Sequence, residues 1–299
     1  MSDHSHHHHG HHHHHHHHDA SGKRLLQTFF INIFITVVEI IGGILSGSLS
    51  LLSDALHNAG DALSVMLSYI AFRLSKKSSS PAKTFGYKRI EILAALFNSV
   101  LLIVILVFLF YEAFQRFSHP QDVKTGIMSG VALAGALANG LSVLLLKDHS
   151  EKNINVKSTY LHQLGDTLSS FAVVIGGILI YFFHITWIDP LLTILIGIYI
   201  LKETYDLLMQ AVNILMQSAP TSVDLSQVET ELKAIPSVKG IHDIHVWSLN
   251  DRENYFDCHI EVMDNMPMHE TDNLRKQIDG LLKSKFDIQH TVIQIEVKC

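Results

Sequence analysis

An α-helical membrane protein with six transmembrane helices, followed by a small soluble α+β domain, is the fold class that this 299-residue sequence predicts. Three observations carry it. Six apolar runs have the roughly twenty-residue length that a helix needs to cross a bilayer. Lys and Arg gather in alternate links between those runs, as they do in cytoplasmic loops. From about Ser218 the composition changes, and short segments with helical and strand periodicities take over.

The chain opens on histidine. Much of the total of 23 lies in the first eighteen residues, which lack the apolar core and cleavage site of a signal peptide. Residues 1–22 read as a disordered, His-rich cytoplasmic tail, with a native metal-gathering tract and an added tag both open. Residues 23–216 form the predicted membrane domain. Its spans are Leu25–Leu45, Leu49–Leu74, Ile90–Phe114, Gly126–Leu146, Ser158–Phe183 and Trp187 to about Met209. Lys23 and Arg24 precede the first span, six basic residues from Arg73 to Arg89 separate the second from the third, and Lys147, Lys152 and Lys157 separate the fourth from the fifth. Those segments are therefore expected in the cytoplasm, and an even number of spans puts both termini there. A formal charge of -6 gives no reason to expect an acidic partner such as nucleic acid. The only cysteines, Cys258 and Cys299, lie in the tail, so no disulfide framework organises the fold.

One phrase occurs twice. Leu56-His57-Asn58-Ala59-Gly60-Asp61-Ala62-Leu63-Ser64 and Leu161-His162-Gln163-Leu164-Gly165-Asp166-Thr167-Leu168-Ser169 share Leu, His, Gly, Asp, Leu and Ser at the same offsets. A His and an Asp four apart occupy one face of a helix. The second and fifth spans run in opposite directions, so the two copies form an inverted pair, the arrangement of transporters whose binding site lies near the midplane. Gly42-Gly43 and Gly176-Gly177 are a weaker likeness of the same kind.

Carboxylates at the centre of a spanning helix cost about 2.5 to 3.5 kcal/mol each on insertion scales. A metal ion offsets that cost. His57, Asp61, His162 and Asp166 would surround Zn²⁺ with two neutral imidazoles and two carboxylates, a tetrahedral shell of zero net charge. Cobalt, cadmium, nickel and ferrous iron suit the same ligand types, whereas calcium and magnesium call for more oxygens. When the metal leaves, protons can replace it at the same groups, which points to a proton-coupled exchanger. Asp54 shares the face of His57 and Asp61; it reads either as a partner or pathway residue of the site or as a carboxylate at the wet start of its helix. Glu39, Asn98 and Asn139 are single, and interhelical hydrogen bonding accounts for them.

Other classes make different demands. An intramembrane zinc hydrolase needs an open metal position and a general base such as that of His-Glu-x-x-His, and no such motif occurs. A Gly-x-Ser-x-Gly elbow and a P-loop are likewise missing, against acyl transfer and ATP-driven pumping. A membrane-bound metal sensor stays open, because the soluble tail also carries histidines.

In residues 217–299, Leu225, Val228, Leu232 and Ile235 mark a helix ended by Pro236. Val238–Leu249 and Asn254–Met263 follow as strands, Thr271–Lys285 as a helix and Thr291–Val297 as a last strand. Helices on one face of a small open sheet fit this order. Period two puts His259, His290 and Glu296 on the polar face with His245, while His242 begins the opposite parity. A second metal site from His242, His259, His290 and Glu296 competes with solvated surface histidines, and Cys299 is either a further ligand or a free terminus. So small a core favours a homodimer.

Taken together, these residues resemble the cation diffusion facilitator family, in particular its zinc-transporting branch. The likeness rests on Ser48 to His57 with Asp61, Phe85-Gly86-Tyr87-Lys88-Arg89-Ile90-Glu91-Ile92-Leu93, His162 with Asp166, and Ala211 to Met216. It implies six membrane helices, a ferredoxin-like cytoplasmic domain, a homodimer, and alternating access that exports zinc against entering protons. It also implies transport ligands at His57, Asp61, His162 and Asp166, with His57 favouring zinc over cadmium, and cytoplasmic metal binding at His242, His259 and Glu296 with His290 nearby. Many relatives carry their histidine-rich stretch between the fourth and fifth helices. Here Lys147–Lys157 holds only His149, which points to a bacterial cytoplasmic membrane, with a vesicle membrane as the alternative.

Overall fold

The computed structural model describes residues 18–75, 77–150, 154–263 and 266–297, so the histidine tract up to residue 17 and Cys299 lie outside the described residues. Six long helices come first: α1 (His18–Ser46), α2 (Leu49–Ser75), α3 (Ile90–Ser118), α4 (Thr125–Ser150), α5 (Ile154–Phe183) and α6 (Ile188–Leu215). Among the described residues, four stretches are long and apolar enough to cross a membrane: Phe29–Ser46, Ile90–Ser118, Thr125–Leu145 and Tyr160–Phe183. The remaining two helices are of similar length but have polar or charged side chains spread along them. α2 carries Asp54, His57, Asn58 and Asp61, and α6 carries Asp189, Lys202, Glu203 and Asp206.

The chain parts between Ala62 and Leu63, Val104 and Ile105, and Ile200 and Leu201 into two compact units. In the first, α4 packs against both α1 and α5. Its polarity is the reverse of that of a water-soluble bundle. Phe30, Phe34, Val37, Ile41 and Ile44 form an exposed stripe on α1, and Leu133, Leu137, Leu141 and Leu144 form one on α4. Their spacing of three and four residues keeps each set on one helical face. Glu39, Asp54, Asn58, Asn139, Gln163 and Asp166 are buried instead. Apolar faces of this extent are suited to lipid, and polar side chains between helices to interhelical hydrogen bonds. Asn58 Nδ2 donates to Glu39 Oε2 at 2.9 Å, as the bonding role expected for Glu39 requires. Gly47, at φ +72° in the link between α1 and α2, adopts a left-handed turn that favours glycine.

The second unit contains the soluble domain. α7 (Leu225–Lys233) is capped by Asp224, whose carboxylate accepts from the Ser226 and Gln227 amides. It is followed by β1 (Gly240–Ser248), β2 (Asn254–Val262), α8 (Met268–Phe286) and β3 (His290–Val297). The sheet order is β1-β2-β3, with β1 antiparallel and β3 parallel to β2. The parallel pair needs a crossover, which α8 supplies. Phe256, Cys258, Ile260 and Val262 of β2 bury against Val228 and Leu232 of α7 and Leu274, Ile278 and Leu282 of α8. The loop before α3 touches this domain, where Lys88 Nζ bonds both Glu253 oxygens at 2.6 and 2.9 Å and Phe85 lies edge-on to Tyr255.

Parity in β1 departs from the sequence expectation. His242 pairs with His259 but His245 pairs with Asp257, so three steps on β1 match two on β2. The extra residue is a β-bulge, and Asp243 within it has φ 50°. It brings His242 onto the same polar face as His245 and His259, whereas strict alternation places His242 on the opposite one.

Candidate metal centre

The repeated phrase lies on α2 and α5, and the structure brings its two histidines and two aspartates together. His162 Nε2 is 2.9 Å from Asp61 Oδ2, and His57 Nε2 is 3.5 Å from Asp166 Oδ1. Within each helix the four-residue spacing closes the remaining sides, His57 Nε2 to Asp61 Oδ2 at 3.6 Å and His162 Nε2 to Asp166 Oδ2 at 3.7 Å. The two imidazoles stand 5.6 Å apart at 72°. A tetrahedron with zinc bonds of about 2.0 to 2.1 Å has ligand-to-ligand edges of roughly 3.3 Å. The four His–Asp distances bracket that value, with Asp166 facing His57 through Oδ1 and His162 through Oδ2, so these pairs lie close to the spacing within a zinc shell.

Burial grades along the cluster. The side chains of Asp61 and His162 are 37% and 32% exposed, those of His57 and Asp166 only 8% and 2%. His57 Nε2, which faces Asp61 and Asp166, has no hydrogen-bond partner. A buried ring nitrogen of this kind is what an incoming cation would satisfy.

The neighbouring polar groups were only partly foreseeable. Asp54 is buried, with no wet helix start around it, and its carboxylate accepts hydrogen bonds from Ser169 and, at 2.7 Å, Ser170. Its partners are thus hydroxyls of α5. Contacts step from Asp61–His162 through His57–Asp166 to Asp54–Ser169, so residue numbers fall on α2 as they rise on α5 and the two helices are antiparallel. This is the geometry that an inverted pair requires.

Gln163 escaped the sequence reading. It is buried beside Asp166, and its Nε2 donates to Asp166 Oδ2 at 3.1 Å. It occupies the repeat position of Asn58, which was the available signal.

In the soluble domain, His242, His259 and Glu296 form a second cluster. Glu296 lies between the rings, with Oε1 3.0 Å from His242 Nε2 and Oε2 3.3 Å from His259 Nδ1. Each residue comes from a different strand, and all three are more open to solvent than His57 or Asp166. His290 is not brought into this group. It pairs with Tyr255, four register places from His259, and its ring packs on Tyr255 at 4.7 Å. Strands rise about 3.3 Å per residue, so equal parity does not amount to proximity.

Residues 25–216 match the cation efflux transmembrane domain family, and residues 220–298 match the cation efflux protein cytoplasmic domain family. The chain is 37% identical over 281 residues to the cadmium, cobalt and zinc/H(+)-K(+) antiporter of Bacillus subtilis, with 93% of this chain and 90% of that protein covered. Identity to the zinc transporter ZitB of Escherichia coli is 37% over 280 residues, covering 93% and 88%. Identity to the metal cation efflux system protein CzcD of Cupriavidus metallidurans is 34% over 261 residues, covering 87% and 82%.

Proposed function

The chain belongs to the cation efflux family, and from that membership we propose that it exports Zn²⁺ from the cytosol in exchange for protons by alternating access. The relatives are transporters of zinc and similar divalent ions, so the chain is read as a carrier and not as an enzyme. One observation carries the reading: the four side chains of the repeat converge, and their His–Asp distances lie near the edge length of a zinc tetrahedron.

In this reading Asp61 and His162, the more exposed pair, meet the ion first, and His57 and Asp166 complete its shell. The filled site is neutral. Departure of the ion leaves two carboxylates inside a low-dielectric bundle, and protons on the carboxylates or imidazoles restore the balance. Metal and protons therefore exclude one another at the same groups. Asp54, held by Ser169 and Ser170 one turn beyond His57, serves as the next step on the path.

The His242, His259 and Glu296 cluster supports a second zinc site in which the ion acts as a structural or regulatory ligand, and His290 stands apart from it. The cytoplasmic family match supports a homodimer. The α-β-β-α-β order with one parallel pair supports a ferredoxin-like assignment for residues 217–299, and the length of α2 and α6 supports six spans within residues 23–216. Bacterial relatives support a bacterial cytoplasmic membrane, surrounded by lipid, and the distribution of basic residues supports cytosolic termini.

The test is zinc flux into liposomes under an imposed pH gradient. Uptake should rise with an opposing proton gradient, and Asp166→Ala should lower it by at least about a hundredfold, beyond the cost of losing an outer hydrogen-bond partner. Uptake that ignores the gradient would remove the exchange mechanism. Undiminished uptake by the variant would remove the site.

A further inference from the structure

Asp189, at the start of α6, is fully buried among polar groups of α2 and α3. Its Oδ1 accepts from Ser48 Oγ at 2.6 Å, Ser50 Oγ at 2.6 Å and the Ser50 amide at 3.1 Å. Its Oδ2 accepts from the Leu49 amide at 2.9 Å and lies 3.6 Å from Arg116 Nη1. The first amides of a helix lack intrahelical acceptors and carry partial positive charge. Ser48 Oγ caps the Leu51 amide at 3.1 Å, as a local N-cap does, but the Leu49 and Ser50 amides are capped from another helix.

The three links at this end of the bundle meet here. Arg116, near the end of α3, donates to the Gly47 carbonyl in the α1–α2 link, and the Lys124 amide, just before α4, donates to the Ser46 carbonyl at 2.9 Å. Asp189 follows directly on the short link from α5. The network therefore ties the start of α2, which carries His57 and Asp61, to the point where α5, which carries His162 and Asp166, turns into α6. Burial is greatest on the same side: on the way from the metal centre to Asp189, Ala55, Leu51 and Ser50 are all fully buried.

We propose that Asp189 is a positioning residue for transport, a latch that pins the N-terminus of α2 and keeps this end of the bundle shut while the metal centre is open at the other. Every polar partner is satisfied in the closed arrangement, so opening this end requires Asp189 to release α2. Loss of the carboxylate charge leaves the buried α2 amides without their anionic acceptor and Arg116 with Glu112 as its remaining carboxylate, and that favours the open arrangement. The inference rests on the transport reading of the metal centre, but its test does not need transport to occur.

In full-length protein carrying Ala55→Cys, reconstituted without zinc, a membrane-impermeant maleimide is applied to each face in turn, with the chain lacking that substitution as background for Cys258 and Cys299. Labelling from the face bearing Gly47 should be slow, and Asp189→Asn should raise it by about tenfold or more on that face alone. No rise, fast labelling before the substitution, or an equal rise from both faces would overturn the latch, the last because general loosening has no side. Should Asp189→Asn not insert, Ser50→Ala removes one hydroxyl donor and should give a smaller rise on the same face; no rise there also overturns it. Zinc flux in the same vesicles separately judges the transport reading.

Discussion

The membrane cluster takes four side chains from two helices and buries two of them almost completely, whereas the cytoplasmic cluster takes three from three strands and leaves all of them partly wet. The difference lies in what fixes the ligands. On α2 and α5 each His–Asp pair is set by helical spacing, and the burial of His57 and Asp166 keeps water from those two side chains. On the sheet, three strands must first be brought into register, and water competes for every donor. The membrane site is accordingly expected to be the more preorganised, and its outer hydrogen bonds the more consequential.

Gln163→Leu tests that difference most strongly. Gln163 holds Asp166 through one hydrogen bond, while its Oε1 has no partner, so an apolar side chain of similar size removes the orientation of Asp166 without orphaning another group. Zinc affinity at the membrane site should fall by about 10 to 100-fold, the usual cost of a lost outer-shell partner, with insertion and dimerisation unchanged. Equilibrium dialysis of protein lacking the cytoplasmic ligands measures it. Unchanged affinity would mean that the membrane ligands are no better fixed than those on the sheet.

The same contrast decided what was legible in the sequence. A helix repeats every 3.6 residues without interruption, so His57 and Asp61, and likewise His162 and Asp166, could be placed on common faces from spacing alone. Asp189 was not legible in this way, because its partners Ser48 and Ser50 lie about 140 residues earlier and no local pattern encodes the meeting. The succession of helices and strands along the chain was readable, but period two fails wherever a residue is inserted. The bulge at Asp243 moves His242 to the face of His259, and nothing in Gly240–Ser248 announces it. His290 shows the complementary error, since parity fixes a face but not a position along it.

A smaller effect is expected at the sheet. Glu296→Gln removes the carboxylate that faces both His242 and His259, and zinc bound to the soluble domain should drop measurably. Zinc transport should respond only through coupling between sites, so the half-maximal zinc concentration should shift by about fivefold, at the low end of allosteric effects. Flux measured against zinc concentration checks this. A shift as large as that of Gln163→Leu would erase the distinction between a carrier site and a regulatory one.

Cys258 sharpens the comparison from the other side, because thiolate is a strong zinc ligand and this residue neighbours His259. Its side chain nevertheless faces the helices, not the polar sheet face, and lies in the core with Phe256 and Ile260. Burial, with Asp257 adding like charge, pushes the thiol from an ordinary 9.0 up to about 12. A raised thiol pKa means that the folded domain holds a proton which the unfolded chain releases above pH 9, so stability from this group is intact at neutral pH and falls as pH rises from 9 toward 12. At pH 7.5 the native domain should therefore alkylate at Cys258 only on unfolding, so zinc should slow labelling no more than it suppresses unfolding, and mass spectrometry of the modified peptide beside a denaturation curve reads both. Protection by zinc beyond its effect on unfolding would place a third kind of ligand in the cytoplasmic cluster and bring its chemistry closer to a closed structural site than to the open His-His-Glu group seen on the sheet, and rapid native labelling would take Cys258 out of the core.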